Sequence, residues 1–85
     1  MKIKQEHYNT VKEAISKIDK AAVLRHIEAV KQEGKYKDLN TRISWDLLWA
    51  SKQNDFIRDN IYPYANDEHI NTMLKRICKE FGYIQ

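Results

Sequence analysis

Asp67, Glu68 and His69 are the residues of this 85-residue chain whose types most readily suggest acid-base or metal chemistry. They stand in the segment IYPYANDEHI (61–70), which also holds the only proline, Pro63. Consecutive helical residues point about 100° apart, so three neighbours cannot converge on one metal ion. Helical metal ligands need a spacing of three or four, as in HExxH, and no histidine here has such a partner. We therefore expect neither a metal site nor an acid-base site.

The same residues are typical of a corner between two helices. Pro63 disfavours helical geometry in the residue before it and so ends the preceding helix. Asn66 is the predicted N-cap of the next helix, because its side chain can accept hydrogen bonds from free backbone N–H groups. Asp67 and Glu68 then favour the positive end of the helix dipole.

Nucleophilic catalysis finds little support in the sequence. Its candidates are Ser16, Ser44, Ser51 and Cys78, and none of them lies in a turn framed by glycines. Cys78 lies one residue from an apolar helical stripe, which favours a buried or half-buried structural thiol. Two isolated glycines cannot form a phosphate-binding loop. We expect no enzyme activity and no cofactor.

Apolar residues recur at intervals of three and four along most of the chain, as in amphipathic helices. With only two glycines and one proline, a turn-rich β fold is disfavoured. The prediction is an all-α single domain, residues 1–85, of four or five helices. Its predicted core consists of Ile15, Ile18, Ile27, Ile43, Leu47, Leu48, Ile57, Ile61, Ile70, Leu74 and Ile77.

Helix boundaries follow from capping residues. KIDKAAVL, around Asp19, contains no glycine or proline, which favours one continuous first helix, although Asp19 could instead cap a second helix. Gly34 is a predicted C-cap, and 34–38 a loop. Asp38 is the predicted N-cap of the next helix, which is apolar round most of its circumference and should be central. A short helix is predicted from about Asp55.

Charge and composition indicate a solvated globular protein. The formal net charge is +3, and residues 1–42 hold ten Lys/Arg against six Asp/Glu, whereas residues 43–85 hold five against six. This mild excess favours an ordinary surface, and it permits contact with nucleic acid or an acidic protein. One cysteine, no apolar run of about 20 residues and no signal-peptide pattern lead us to expect a cytoplasmic protein without membrane contact.

Two helices joined by a tight turn, residues 39–62, invite comparison with a helix-turn-helix DNA-binding motif. The would-be recognition helix carries Asp55 and Asp59 against one Arg58, which is unfavourable beside phosphates. DNA binding is therefore the second choice. The residues expected to contact nucleic acid, if it binds, are Lys31, Lys35, Lys37 and Arg42.

Aromatic residues supply the other candidates for partner binding. Trp45 and Trp49 lie on one side of their helix and could form a stacking platform, an interaction hot spot or part of the core, of which the core is favoured. Tyr62 and Tyr64 flank Pro63 at the corner. The candidate partner-binding residues are thus Lys31, Lys35, Lys37, Arg42, Trp45, Trp49, Tyr62 and Tyr64.

Two stretches, KDLNTRISWDLLWA (37–50) and IYPYANDEHINTMLKRI (61–77), resemble a group of small proteins from bacteriophages and prophages. In that group a WDLL helix precedes a Tyr-Pro-Tyr corner and an Asn-Asp-x-His-Ile helix start. The resemblance covers about a third of the chain. The matching residues are Trp45, Asp46, Leu47, Leu48, Tyr62, Pro63, Tyr64, Asn66, Asp67, His69 and Ile70.

This resemblance implies a setting rather than a mechanism. It implies an accessory protein of a mobile element in the cytoplasm of a bacterial host cell. Some accessory proteins of this kind inhibit host defence, as anti-CRISPR proteins do. The expected function is therefore binding and inhibition of a host protein or ribonucleoprotein complex by a monomer or homodimer. A small helical DNA-binding regulator is the alternative.

Overall fold

The computed structural model describes residues 4–51, 54–64 and 67–85, and helices are the only regular secondary structure in these ranges. The all-α class with four or five helices is thereby confirmed. The elements are α1 (Gln5–Ser16), α2 (Lys20–Glu33), α3 (Leu39–Ala50), α4 (Asp55–Asn60), a 3-10 turn (Tyr62–Tyr64) and α5 (Glu68–Glu80). None of the described helices is long and apolar enough to cross a membrane.

The prediction of one continuous first helix through Asp19 is wrong. α1 ends at Ser16, and α2 begins at Lys20. Asp19 is the N-cap of α2, with a carboxylate oxygen 3.1 Å from the backbone nitrogen of Ala22. Because this side chain satisfies an otherwise free N–H group, the chain can start a new helix without glycine or proline.

α3 is the central helix, as predicted, and it packs against α1, α2 and α5. The Asp38 side chain caps it by accepting a hydrogen bond from the backbone N–H of Thr41 at 3.0 Å. Gly34 ends α2 with φ of 65°, a left-handed conformation that glycine adopts without strain. The loop at 34–38 thus turns the chain so that α3 lies against α2.

The corner before α5 is present, but its cap differs from the prediction. Asp67, not Asn66, is the N-cap: its Oδ1 accepts from the backbone N–H groups of His69 at 2.8 Å and Ile70 at 3.1 Å. Asn66 lies outside the described residues. An aspartate caps a helix as well as an asparagine does, so the sequence ND does not decide between the two positions.

The predicted core residues are buried, with one exception. Ile18 is only partly buried and packs on the rim of the core. Leu48, Ile57, Ile70 and Ile77 are completely enclosed. Replacing such a side chain with alanine typically costs about 2–5 kcal/mol, because the transfer free energy is lost and a cavity remains.

Two features of the core were not anticipated. His7 is buried in α1, accepts a hydrogen bond at Nδ1 from the backbone nitrogen of Lys4 at 3.2 Å, and packs edge-on against Phe56. Tyr83 and Ile84, beyond α5, fold back and are also buried. The segment after the last helix therefore belongs to the packed domain.

Candidate functional site

A mainly apolar groove lies between α2 and α3. Its volume is about 350 Å³. It is lined by Ile18, Ala22, Val23, His26, Arg42, Asp46, Leu47, Trp49 and Ala50. We call this surface the α2–α3 groove. A surface of this kind, mainly apolar with a few polar groups at its edge, is suited to binding an apolar side chain and orienting its neighbours.

Asp46 organises the polar edge of the α2–α3 groove. Its Oδ2 lies 2.7 Å from Nε2 of His26, on α2, and 2.9 Å from Nε of Arg42, one turn earlier on α3. The Asp46 side chain is only 23% exposed. The two contacts fix the side chains of one cationic residue and one histidine around a single carboxylate.

Arg42 is held from a second side by an aromatic ring. The centre of its guanidinium lies 4.6 Å from the ring centroid of Tyr36, within the range of a cation–π interaction. The hydrogen bond to Asp46 and its negative charge raise the pKa of Arg42. Lys35 Nζ lies 5.7 Å from the same ring, and a hydrogen bond to Glu33 raises the pKa of Tyr36.

Trp49 is the most exposed large apolar side chain of the described residues, at 58%. Its ring packs edge-on against Tyr62, with the centroids 5.6 Å apart and the planes at 81°. Since α3 and the 3-10 turn both belong to the packed domain, the indole is held in place while much of it faces solvent. The favoured assignment of Trp49 to the core is wrong.

Trp45 occupies a different environment from Trp49. It is partly buried against the core, and its indole N–H donates a hydrogen bond to Oδ1 of Asn71 on α5. Its ring lies 6.2 Å from that of Tyr62. Trp45 therefore packs at the edge of the core, close to its predicted assignment. Because only Trp49 is exposed, the two tryptophans do not form one exposed platform.

Tyr62 joins the two tryptophans and has an unusual hydroxyl. The oxygen is buried and has no hydrogen-bond partner among the described residues. Burial, with a smaller contribution from the charge of Asp46, raises the pKa of Tyr62 to about 12. Tyr64, two residues later, is 46% exposed and lies on the outside of the corner.

The eight predicted partner-binding residues therefore do not share one surface. Arg42 and Trp49 meet in the α2–α3 groove. Lys35 lies beside Tyr36, in the loop that also carries the exposed Lys37. Lys31 lines a separate cavity formed with the C-terminal segment 83–85.

Three residues in or beside the α2–α3 groove were not predicted as site residues: His26 and Asp46, which line it, and Tyr36, which packs on Arg42. The spacing of four between Arg42 and Asp46 is a sequence signal for an ion pair on a helix. No such signal exists for His26, because it is 20 positions from Asp46 and only the packing of α2 on α3 joins them.

A second cavity, of about 460 Å³, adjoins the α2–α3 groove and shares Ile18 and Ala50 with it. Its other lining residues come from α1 and from the caps of α1, α3 and α4, and most are polar: Thr10, Glu13, Ala14, Lys17, Ser51 and Asn54. The concave surface thus continues past the α1–α2 corner and becomes polar there.

The helix proposed to recognise DNA is short and its charges are paired. α4 has six residues, and its Arg58 lies 3.2 Å from Asp55 Oδ1 and 3.0 Å from Asp59 Oδ1. A cation paired with two acids offers little net positive charge to a phosphate backbone.

The described part of the chain was found to hold neither a metal-type cluster nor an exposed thiol. No three His, Cys, Asp or Glu side chains there are grouped as a metal site would require. Cys78 is completely buried, as predicted, and burial raises the pKa of its thiol. A buried thiol with a raised pKa is a poor nucleophile.

No protein-family model matches the chain, and no curated protein or solved structure matches it significantly. The surface described above is the part of the protein that bears on function. Its central feature is a mainly apolar groove with an ordered Arg–Asp–His edge and an exposed tryptophan.

Proposed function

We propose that this protein is a non-enzymatic binding module that attaches to a host protein or ribonucleoprotein complex through the α2–α3 groove. The observation that carries the proposal is the position of Trp49. It lines the groove, is 58% exposed, and is held against Tyr62. Exposed tryptophan is costly in water, and tryptophan, tyrosine and arginine are enriched among residues that dominate binding energy.

A held aromatic side chain is better suited to binding than a free one. The edge-on contact with Tyr62 reduces the conformational freedom that Trp49 would lose on binding a partner. The polar edge of the groove, formed by Arg42, Asp46 and His26, can then set the orientation of what binds. An apolar centre with a polar rim is the usual anatomy of a protein interface.

The resemblance to small phage and prophage proteins supports a host target. A chain of 85 residues offers one rigid surface, which suits a stoichiometric inhibitor that blocks a larger assembly. The proposed role is inhibition of a host defence complex, of the anti-CRISPR type, in the cytoplasm of a bacterial cell. The WDLL segment of the resemblance, residues 45–48, lies on α3, the helix that carries Trp49.

DNA binding receives less support. The candidate recognition helix α4 pairs its only cation with two acids. Arg42 lines the α2–α3 groove whereas Lys31 lines a different cavity, and Arg42 is paired with Asp46. A small helical DNA-binding regulator remains the alternative outcome of the test.

The experiment is affinity capture from a bacterial host lysate, with and without nuclease, followed by mass spectrometry. We expect one host complex to be recovered in stoichiometric amount under both conditions. Trp49→Ala should reduce recovery at least about tenfold, as expected for a hot-spot residue. Leu24→Ala is the matched control, because Leu24 is 48% exposed on α2 but does not line the groove.

Equal recovery by Trp49→Ala and wild type would show that the α2–α3 groove is not the binding surface. Failure to capture any protein, together with strongly salt-dependent binding of a DNA duplex, would favour the regulator instead. Circular dichroism and thermal melting of both variants establish that they remain folded.

A further inference from the structure

Arg42 is immobilised on two sides. Its Nε is 2.9 Å from Asp46 Oδ2, and its guanidinium lies over the ring of Tyr36 at 4.6 Å. An arginine restrained in this way loses little side-chain freedom when it binds a further group. Its orientation is set by the fold before any partner arrives.

The two terminal nitrogens of Arg42, Nη1 and Nη2, make no hydrogen bond with the described residues, and the side chain is 43% exposed. Arg58 differs, because its Nη1 contacts Asp55 and its Nη2 contacts Asp59. Arg42 also lines the α2–α3 groove. It therefore presents an unused pair of donors beside an apolar surface.

A carboxylate is the group that best matches these donors. Two parallel N–H groups of a guanidinium bind the two oxygens of a carboxylate with good geometry and charge assistance. The adjoining wall, which includes Val23, Leu47 and Ala50, suits an apolar side chain next to that carboxylate. Together they describe a peptide segment in which an acidic residue neighbours an apolar one.

A nucleic-acid backbone fits this environment less well than a single carboxylate does. Asp46 is in contact with Arg42, and Glu33 is close enough that its charge raises the pKa of Arg42. One partner carboxylate can meet Nη1 and Nη2, which form no hydrogen bond with these acids. A row of phosphates would meet both acids at once, which is unfavourable.

We infer that Arg42 binds a carboxylate of an acidic and apolar peptide segment in the partner, whose apolar side chain enters the α2–α3 groove beside Trp49. This inference rests on the proposed function and names the chemistry of the partner. Tyr36 and Asp46 act as positioning residues for this contact, since they hold the guanidinium of Arg42 in place.

The probe is a library of short random peptides displayed on phage and selected on the immobilised protein. We expect the selected peptides to combine Asp or Glu with a large apolar residue at neighbouring positions. The best peptide is then synthesised with its acidic residue and with the corresponding amide. Wild type should bind the acidic form at least about tenfold more tightly, as expected for charge-assisted hydrogen bonds.

Substitutions at Arg42 separate this contact from general electrostatics. Arg42→Gln should bind the acidic peptide and its amide equally. Arg42→Lys should lose most of the preference for the acidic peptide, because an ammonium group lacks the two parallel N–H donors of a guanidinium. Arg25→Gln removes the same charge from an exposed position on α2 that does not line the groove, and it should keep the full preference. Tyr36→Leu should lower the preference without abolishing it.

Several results would overturn the inference. One is the selection of peptides without acidic residues, or of no peptide at all. Another is an unchanged preference for the acidic peptide over its amide in Arg42→Gln and Arg42→Lys. A third is Arg42-dependent binding of a DNA duplex in place of peptide. Capture of a host complex that depends on Trp49 but not on Arg42 would leave the proposed function standing while this inference fails. Thermal melting confirms that each variant tested is folded.

Discussion

His26 Nε2 lies 2.7 Å from Asp46 Oδ2, and this contact joins α2 to α3 across the edge of the groove. The two side chains are 43% and 23% exposed, so water screens the interaction and its contribution to global stability is small. Its effect is on position, because α2 packs mainly on α3 and this pair fixes the spacing of the groove walls.

Replacing Asp46 with alanine is expected to loosen α2 selectively. The variant loses the contacts with both His26 and Arg42, so amide hydrogen exchange should increase in α2 more than in α5. Asp59→Ala is the control, since Asp59 pairs only with its neighbour Arg58 on α4 among the described residues. A uniform increase in exchange over all helices would contradict the proposed role of the pair.

Removing the hydroxyl of Tyr62 is expected to stabilise the protein. This buried oxygen has no hydrogen-bond partner among the described residues, and an unsatisfied polar group costs free energy. Tyr62→Phe should raise the free energy of unfolding by up to about 1 kcal/mol, measured by urea denaturation. Tyr64→Phe, at an exposed ring, should change it little.

The same tyrosine gives a prediction for alkaline pH. Burial raises the pKa of Tyr62 from 10.0 to about 12, so the folded state favours the neutral phenol. Since the phenolate is disfavoured in the folded state, this group leaves the free energy of unfolding unchanged below pH 10.0 and lowers it as the pH rises from 10.0 towards about 12. Spectrophotometric titration should detect a tyrosine that titrates at about pH 12 and is missing in Tyr62→Phe.

Acidic pH should weaken the contact between α1 and α5. Tyr8 donates a hydrogen bond to Glu80, and Lys12 Nζ lies 3.3 Å from the same carboxylate oxygen. The hydrogen bond from Tyr8, with help from Lys12, lowers the pKa of Glu80 below 4.5. A lowered pKa means that the stabilisation is present above pH 4.5 and is lost as the pH falls through the folded-state value.

Thermal melting as a function of pH tests this expectation. The difference in melting temperature between wild type and Glu80→Gln should be largest near neutral pH and shrink on acidification below 4.5. Glu28→Gln removes an acid from an exposed position on α2 and should show no comparable trend. A difference independent of pH would argue against the charged form of Glu80 as the cause.

The break between α1 and α2 should depend on the cap at Asp19. Asp19→Ala removes the acceptor for the backbone N–H of Ala22 and should cost about 1 kcal/mol of stability in urea denaturation. Asp19→Asn keeps an acceptor of similar quality and should be nearly neutral. Equal destabilisation by both substitutions would mean that the charge, and not the cap, is the important property.

Helical periodicity was sufficient to predict the fold class and most of the core. Ile43, Leu47 and Ile77 are buried because their spacing places them on one face of an amphipathic helix, which must pack against a neighbour. The caps at Gly34 and Asp38 could also be predicted, because each depends on the backbone conformation or hydrogen bonds of residues that are close in the sequence.

Tertiary packing decided the character of the candidate site. The spacing of Trp45 and Trp49 places both on one side of α3, but neighbouring elements cover Trp45 and leave Trp49 exposed. The contact of His26 with Asp46 likewise exists only because the turn at Gly34 brings α2 against α3. Hydrogen bonds that cap a helix can be predicted from the sequence, because donor and acceptor are only a few residues apart. The solvent exposure of a side chain and the contacts between residues distant in sequence depend instead on how the helices pack together.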